Sequence, residues 1–235
     1  MSIEIISKNN NPSNNEFSVD LLKTIKPKIS IFDHDIPDDF KLIGDIAFDT
    51  EAMGLKCRRD RLCLLQVADE QENIAIIKFH KNIQPAPNLR KIFEDKKRQK
   101  IAHFARFDVR IILEYLDIKT SNIFCTHIAS SMARTYTNNH SLKDVCKDTL
   151  GILLSKQATF SDWGSSHLTD AQLEYAVSDV LYLHKIRDKL IEILKREEKI
   201  DIYNELTNCI LTRAKLDIMG FDNVDLLSHH RDPNR

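Results

Sequence analysis

The sequence predicts an α/β domain with a mixed central sheet, flanked by helices and followed by a helical C-terminal part. Two features predict it. Apolar runs of strand length succeed one another from residue 29, and after Pro85 and Pro87 the texture changes to short apolar strands alternating with helical periodicity.

The elements can be justified in order. Residues 1–28 are rich in Asn and poor in apolar anchors, which predicts a mobile extension and leaves 29–235 as a single domain. KISIF reads as a short edge strand, DIAFD as a buried strand, and RLCLLQVAD and NIAIIKF as the next two. The turn residues DRD and DEQEN between them suggest consecutive antiparallel pairing. NLRKIFED then reads as a helix with Leu89, Ile92 and Phe93 on one face, KIAHFA as a strand, and FDVRIILEYL as a helix with Ile111, Ile112 and Tyr115 turned inward. NIFCT is a further strand before a helix through HIASSMART. SLKDVCKDTL, a long helix from Thr169 to about Lys199 and a last one across DIYNELTNCILTRAKL complete the chain. Thr169 and Gln172 form a capping-box pattern that sets the start of the long helix.

Composition narrows the function classes. A chain of 235 residues can bury a sizeable core, but 34 Lys and Arg against 35 Asp and Glu create no global positive field for holding a long polyanion. A short or locally clamped anion fits better. The five cysteines show no CxxC or zinc spacing, and their odd number argues against a closed disulfide framework. With no apolar core of signal-peptide length at the N-terminus and no long apolar run elsewhere, the expectation is a soluble cytoplasmic protein.

The chemistry is concentrated in three segments. In IAFDTEAMGL, Asp49 and Glu51 lie two apart on a strand, so both side chains share one face and could hold a cation between them. Gly54 follows where the strand breaks and lets the backbone approach a ligand. Asp108 opens the helix after KIAHFA, at a sheet end, and Tyr175 and Asp179 stack one turn apart near the start of the long helix. Carboxylates set in apolar sequence are expensive to bury without a cation, and divalent metals would supply it.

In this order the three segments resemble the motifs of the DEDD 3′–5′ exonucleases. Tyr175, four residues before Asp179, resembles the tyrosine branch, since the histidine branch would have His five residues before that Asp and position 174 is Glu. The resemblance implies a ribonuclease H-like fold. It implies two Mg2+ or Mn2+ ions, with Asp49 bridging both, Glu51 and Asp179 completing the first site, Asp108 supporting the second through water, and Tyr175 orienting the attacking water. SDWGSSHLTDAQLEYAVSDVLYLH looks like ribonuclease D, although Ser-His stands where Arg-Pro is usual and no second helical substrate-binding domain fits after residue 200.

RDRLCLLQVAD, HFARFDVRIIL, FCTHIASSMARTYTNNHSLKDVC, SKQATFSDW and RAKLDIMGF resemble the compact bacterial subgroup nano-RNase C, a diribonuclease. That likeness implies a 3′–5′ exoribonuclease acting on very short RNA, chiefly dinucleotides, and releasing nucleoside 5′-monophosphates, and a homo-oligomer of the kind the octameric subgroup forms. The alternatives are trimming of longer RNA or single-stranded DNA, and an inactive nucleic-acid-binding protein.

Further candidates carry a bland reading beside the functional one. Leu55 is a wedge against a base or a core leucine, and His103 and Arg106 flank the second motif and could reach a phosphate. Arg58, Arg59 and Arg61 form a basic turn. Arg134, Tyr136, Lys156 and Gln157 are candidates to cap a 5′ phosphate, and Trp163 is read as a packing anchor.

Overall fold

A computed structural model describes residues 27–154, 162–165 and 167–228. Strands β1 (Lys28–Asp33), β2 (Ile46–Ala52), β3 (Leu62–Asp69) and β4 (Asn73–Lys78) precede helix α1 (Pro87–Phe93), β5 (Lys100–Ala102), α2 (Arg106–Leu116), β6 (Ile123–Cys125), α3 (Thr126–Ala133) and α4 (Leu142–Leu150). Helices α5 (Asp170–Leu181), α6 (Leu183–Arg196), α7 (Ile200–Asn208) and α8 (Ile210–Leu216) follow, ending in a wide helical turn over Asp217–Phe221. The six strands form one mixed sheet in the order β1-β4-β3-β2-β5-β6.

The antiparallel succession holds for β2, β3 and β4 but not for the first strand. KISIF is an edge strand, as its sequence suggests, yet it pairs parallel with β4. No tight turn joins it to β2. Residues 34–45 instead cross from the sheet edge to its centre and bury Ile36 and Leu42 on the way, a crossover that parallel pairing requires.

Two apolar clusters cover the two faces of the sheet. Alternation along the strands decides which residue joins which. Ala47, Leu64, Ile76 and Ile101 belong with Ala176, Val180, Ile186 and Leu190 of α5 and α6. Phe48, Leu65, Ile77 and Ala102 belong with Leu89, Val109, Ile112 and Ala214 of α1, α2 and α8. Helices therefore lie on both faces.

The long C-terminal helices are broken where the sequence shows no breaker. The run from Thr169 divides at Tyr182 (φ −101°, ψ −4°), and the last helix divides at Cys209 (φ −83°, ψ −8°). Tertiary anchors fix the direction after each break. Arg187 of α6 pairs with Asp45 just before β2 at 2.7 Å, and the Tyr203 hydroxyl of α7 accepts from the Cys125 N–H at 2.9 Å and donates to its carbonyl at 3.2 Å. The capping box at Thr169 and Gln172 is formed.

Candidate active site

The acidic centre follows from strand alternation. In β2, Asp49 and Glu51 share the face of Ala47, which α5 covers, whereas Thr50 points to the opposite face, which α2 covers. Asp179 lies on α5, and the carboxylate oxygens of Asp49, Glu51 and Asp179 come within 4.8 Å of one another. Asp108, in the first turn of α2, arrives from the other side and meets Thr50. Its Oδ1 accepts from the Thr50 N–H at 3.0 Å and from the Thr50 hydroxyl at 2.6 Å, and the residue is 2% exposed. Three carboxylates thus converge, and the fourth stands just outside, held by an orienting clamp.

The electrostatics record the crowding. Burial, then Asp108, Asp179 and Glu51, push the Asp49 carboxyl well above its ordinary range. Burial with Asp179 and Asp108 raises Glu51 to about 8. Asp108 rises to about 7 through burial, although its Thr50 hydrogen bonds pull the other way. Asp179 also rises to about 7, through burial and the charge on Asp108, against a hydrogen bond from Tyr175 that favours its ionised form. Close carboxylates with raised proton affinity and all-oxygen donors are the set that a hard divalent cation stabilises, so the residues fit Mg2+ or Mn2+.

Around this centre the other candidates separate. Leu55 is 79% exposed, which removes the core-leucine reading. Gly54 is explained by the protein itself, because a Cβ there would lie 2.4 Å from the Asp60 carboxylate. His103 shares a hydrogen bond with the Thr126 hydroxyl at 2.9 Å, and burial followed by the nearby His127 lowers it to about 3, so it carries no charge for a phosphate at neutral pH. Arg106 has its guanidinium on Asp217 at 2.8 and 2.9 Å and on the Asp222 carbonyl at 2.7 Å, a tie to the C-terminal turn.

Of the basic turn, Arg59 pairs with Asp60, and Arg61 donates to the carbonyls of Phe79 and Leu62. Arg134 is 1% exposed and bound to Asp148, Ser130 and the Asn139 carbonyl, so it is a structural cation and not a phosphate cap. Tyr136 is exposed with the Arg134 guanidinium over its ring, while Lys156 and Gln157 lie outside the described residues. Trp163 is buried, with its ring 6.0 Å from that of Tyr175. Thr50 is the residue sequence reasoning passed over. Its signal was its place between Asp49 and Glu51, facing the opposite side.

Known proteins resemble the chain over much of its length. The 3′–5′ exonuclease domain family matches residues 32–195. Ribonuclease D of Sphingobium indicum is 33% identical over 156 residues, which are 66% of this chain and 40% of that protein. DNA polymerase I of Aquifex aeolicus is 36% identical over 146 residues, 62% of this chain and 23% of that protein. The chain thus spans less than half the length of these curated relatives.

Among solved structures, Brucella melitensis NrnC superposes with a TM-score of 0.82 at 37% identity, covering 86% of this chain and 98% of that one. The same protein has been solved bound to pGG and with bound Mg2+. Escherichia coli RNase D, at 23% identity and a TM-score of 0.64 over 72% of this chain and 44% of that one, shares the fold. With its six-stranded mixed sheet and the acidic residues of all three motifs in place, the chain belongs to the DEDD 3′–5′ exonuclease family, in its ribonuclease D-like branch.

Proposed function

We propose that the protein is a two-metal 3′–5′ exoribonuclease that hydrolyses very short RNA, chiefly dinucleotides, to nucleoside 5′-monophosphates. The observation that carries this reading is the convergence of Asp49, Glu51 and Asp179, with their oxygens within 4.8 Å, in a chain that aligns along 98% of Brucella melitensis NrnC. The pGG bound by that relative supports a short RNA as the substrate here.

Asp49, Glu51 and Asp179 would hold one divalent ion, and Asp49 with Asp108 would serve a second. Bound divalent ions lower the pKa of an attacking water and offset charge on the phosphate being hydrolysed. Asp108 can do its part because Thr50 occupies only its Oδ1. The Tyr175 hydroxyl, hydrogen-bonded to Asp179, would position the attacking water. A phenol with an ordinary pKa near 10 is a poor base at neutral pH, so its role is orientation. Leu55 is free to wedge against a base.

We further propose that 29–235 form one domain and that the enzyme works in the cytoplasm as a homo-oligomer, an octamer being the assembly to test for by light scattering. Among the described residues no helix is long and apolar enough to cross a membrane. The deciding assay compares 5′-phosphorylated two-mers and seven-mers with Mg2+ or Mn2+. Faster turnover of the two-mer is expected, and equal turnover would favour the reading as a trimmer of longer RNA.

A further inference from the structure

A cavity of about 440 Å3 opens beside the acidic centre, lined by His34, Arg61, His80, Lys81, Asn82, Gln84 and Gly164. Arg61 bonds back to the strand end through its carbonyl, which accepts from the Met53 N–H at 3.1 Å, and Gly164 follows Trp163, whose ring packs on Tyr175.

Among the described residues no carboxylate lines the cavity. Among the described residues, Arg61 spends only Nη1 on the carbonyls of Phe79 and Leu62, leaving Nη2 without a hydrogen bond and Nε buried and unpartnered. Among the described residues, Lys81, which is exposed, has no ion pair, and the His34 Nδ1 has no hydrogen bond. His80 is held by Asp33 at 3.0 Å, with Lys78 also on Asp33 at 3.5 Å. Asp162 approaches Gly164, accepting its N–H at 3.0 Å. A Cβ at position 164 would lie 3.3 Å from Arg61 Nη2, so glycine there keeps the guanidinium edge clear.

We infer that this cavity is a second anion site, separate from the acidic centre, that takes a phosphomonoester. A guanidinium edge, an ammonium and two imidazoles beside two side-chain amides match the several acceptor oxygens of a phosphate. The volume leaves room for a small organic group attached to it. The inference does not need the chain to be a diribonuclease.

The test is a titration of the full chain in EDTA with inorganic phosphate and with a nucleoside 5′-monophosphate, followed by the imidazole NMR signals of His34 and His80. His103 and His127, which do not line the cavity, serve as controls. Saturable shifts at His34 and His80 are expected, weakened about tenfold by Lys81→Ala. Tighter binding of the nucleotide identifies the organic group as part of the ligand, and equal binding identifies the phosphate alone; either supports the site. Absence of saturation with both probes, shifts only at the controls, or full affinity in both Lys81→Ala and His80→Gln would overturn it. Because turnover is not measured, failure of this site and failure of the proposed hydrolysis are separate results.

Discussion

Thr50 and Asp108 form a clamp across β2: both donors of the threonine fall on one oxygen of the aspartate, at 3.0 and 2.6 Å. The carboxylate is thereby oriented without help from a cation, and Thr50 does not bond its second oxygen. Thr50→Val keeps the shape and removes the hydroxyl. We expect kcat with Mg2+ to fall about tenfold, in line with a lost hydrogen bond to a charged group worth roughly 1.5–3 kcal/mol. Affinity for the first ion, measured calorimetrically, should change little. An unchanged kcat would mean that the backbone N–H alone orients Asp108.

Removing one of the clustered acids should separate activity from stability. Asp49→Asn or Asp179→Asn is expected to reduce hydrolysis at least about 100-fold, as for other losses of preorganised charge at a reacting centre. The same changes relieve repulsion among the remaining carboxylates, so the metal-free variants should melt higher than the parent in EDTA. Thermal melts with and without Mn2+ test both halves, and a metal-induced rise as large as the parent's would remove Asp49 or Asp179 from the ligand set.

The pH dependence has a definite sign. Glu51 at about 8 and Asp108 and Asp179 at about 7 lie above the ordinary carboxylate range of about 4. The folded protein therefore binds these protons more tightly than the unfolded chain does. Their stabilising contribution is complete below the unfolded pKa and is lost as pH rises through about 7 to 8. In EDTA, Tm should fall between pH 6 and 8.5, and the gain from Mg2+ should grow over the same interval. A gain independent of pH would show that these groups are not the ones binding the ion.

Arg106 and Asp217 tie α2 to the C-terminal turn, and Arg213 reaches the same buried Asp217 at 3.1 Å. Arg106→Ala leaves Asp217 with one partner, and a loss of about 1–3 kcal/mol in denaturant unfolding is expected. The effect on KM at low temperature should be small. A large rise in KM without loss of stability would restore the phosphate-binding role suggested by the position of Arg106 in the sequence.

Leu55 makes the opposite prediction. At 79% exposure its side chain adds little to the core, so Leu55→Ala should leave Tm unchanged while raising KM for dinucleotide about tenfold, the scale of one apolar side chain losing its burial against a base. Steady-state kinetics beside a thermal melt decide it.

Much of the fold and of the acidic centre is legible in the sequence. Apolar runs of strand length separated by turn residues marked β2, β3 and β4, the capping box at Thr169 marked the start of α5, and the spacings Asp49 to Glu51 and Tyr175 to Asp179 each implied a shared face. The parallel pairing of β1 was not readable, because a strand's apolar pattern is the same in either orientation. The breaks at Tyr182 and Cys209 were hidden too, since no Gly or Pro marks them.

Residue type and local spacing were enough to place the acids in pairs, because they fix which carboxylates share a strand face or a helix turn. Tertiary structure alone decided how they divide. Asp179 joins Asp49 and Glu51 because α5 covers their face of the sheet, whereas Asp108 stands apart because α2 lies on the other and meets Thr50. Tertiary packing also withdrew Arg134 from the surface and turned Arg106 to Asp217. An arginine's partner depends on which distant carboxylate the fold brings within reach, and no local pattern carries that information.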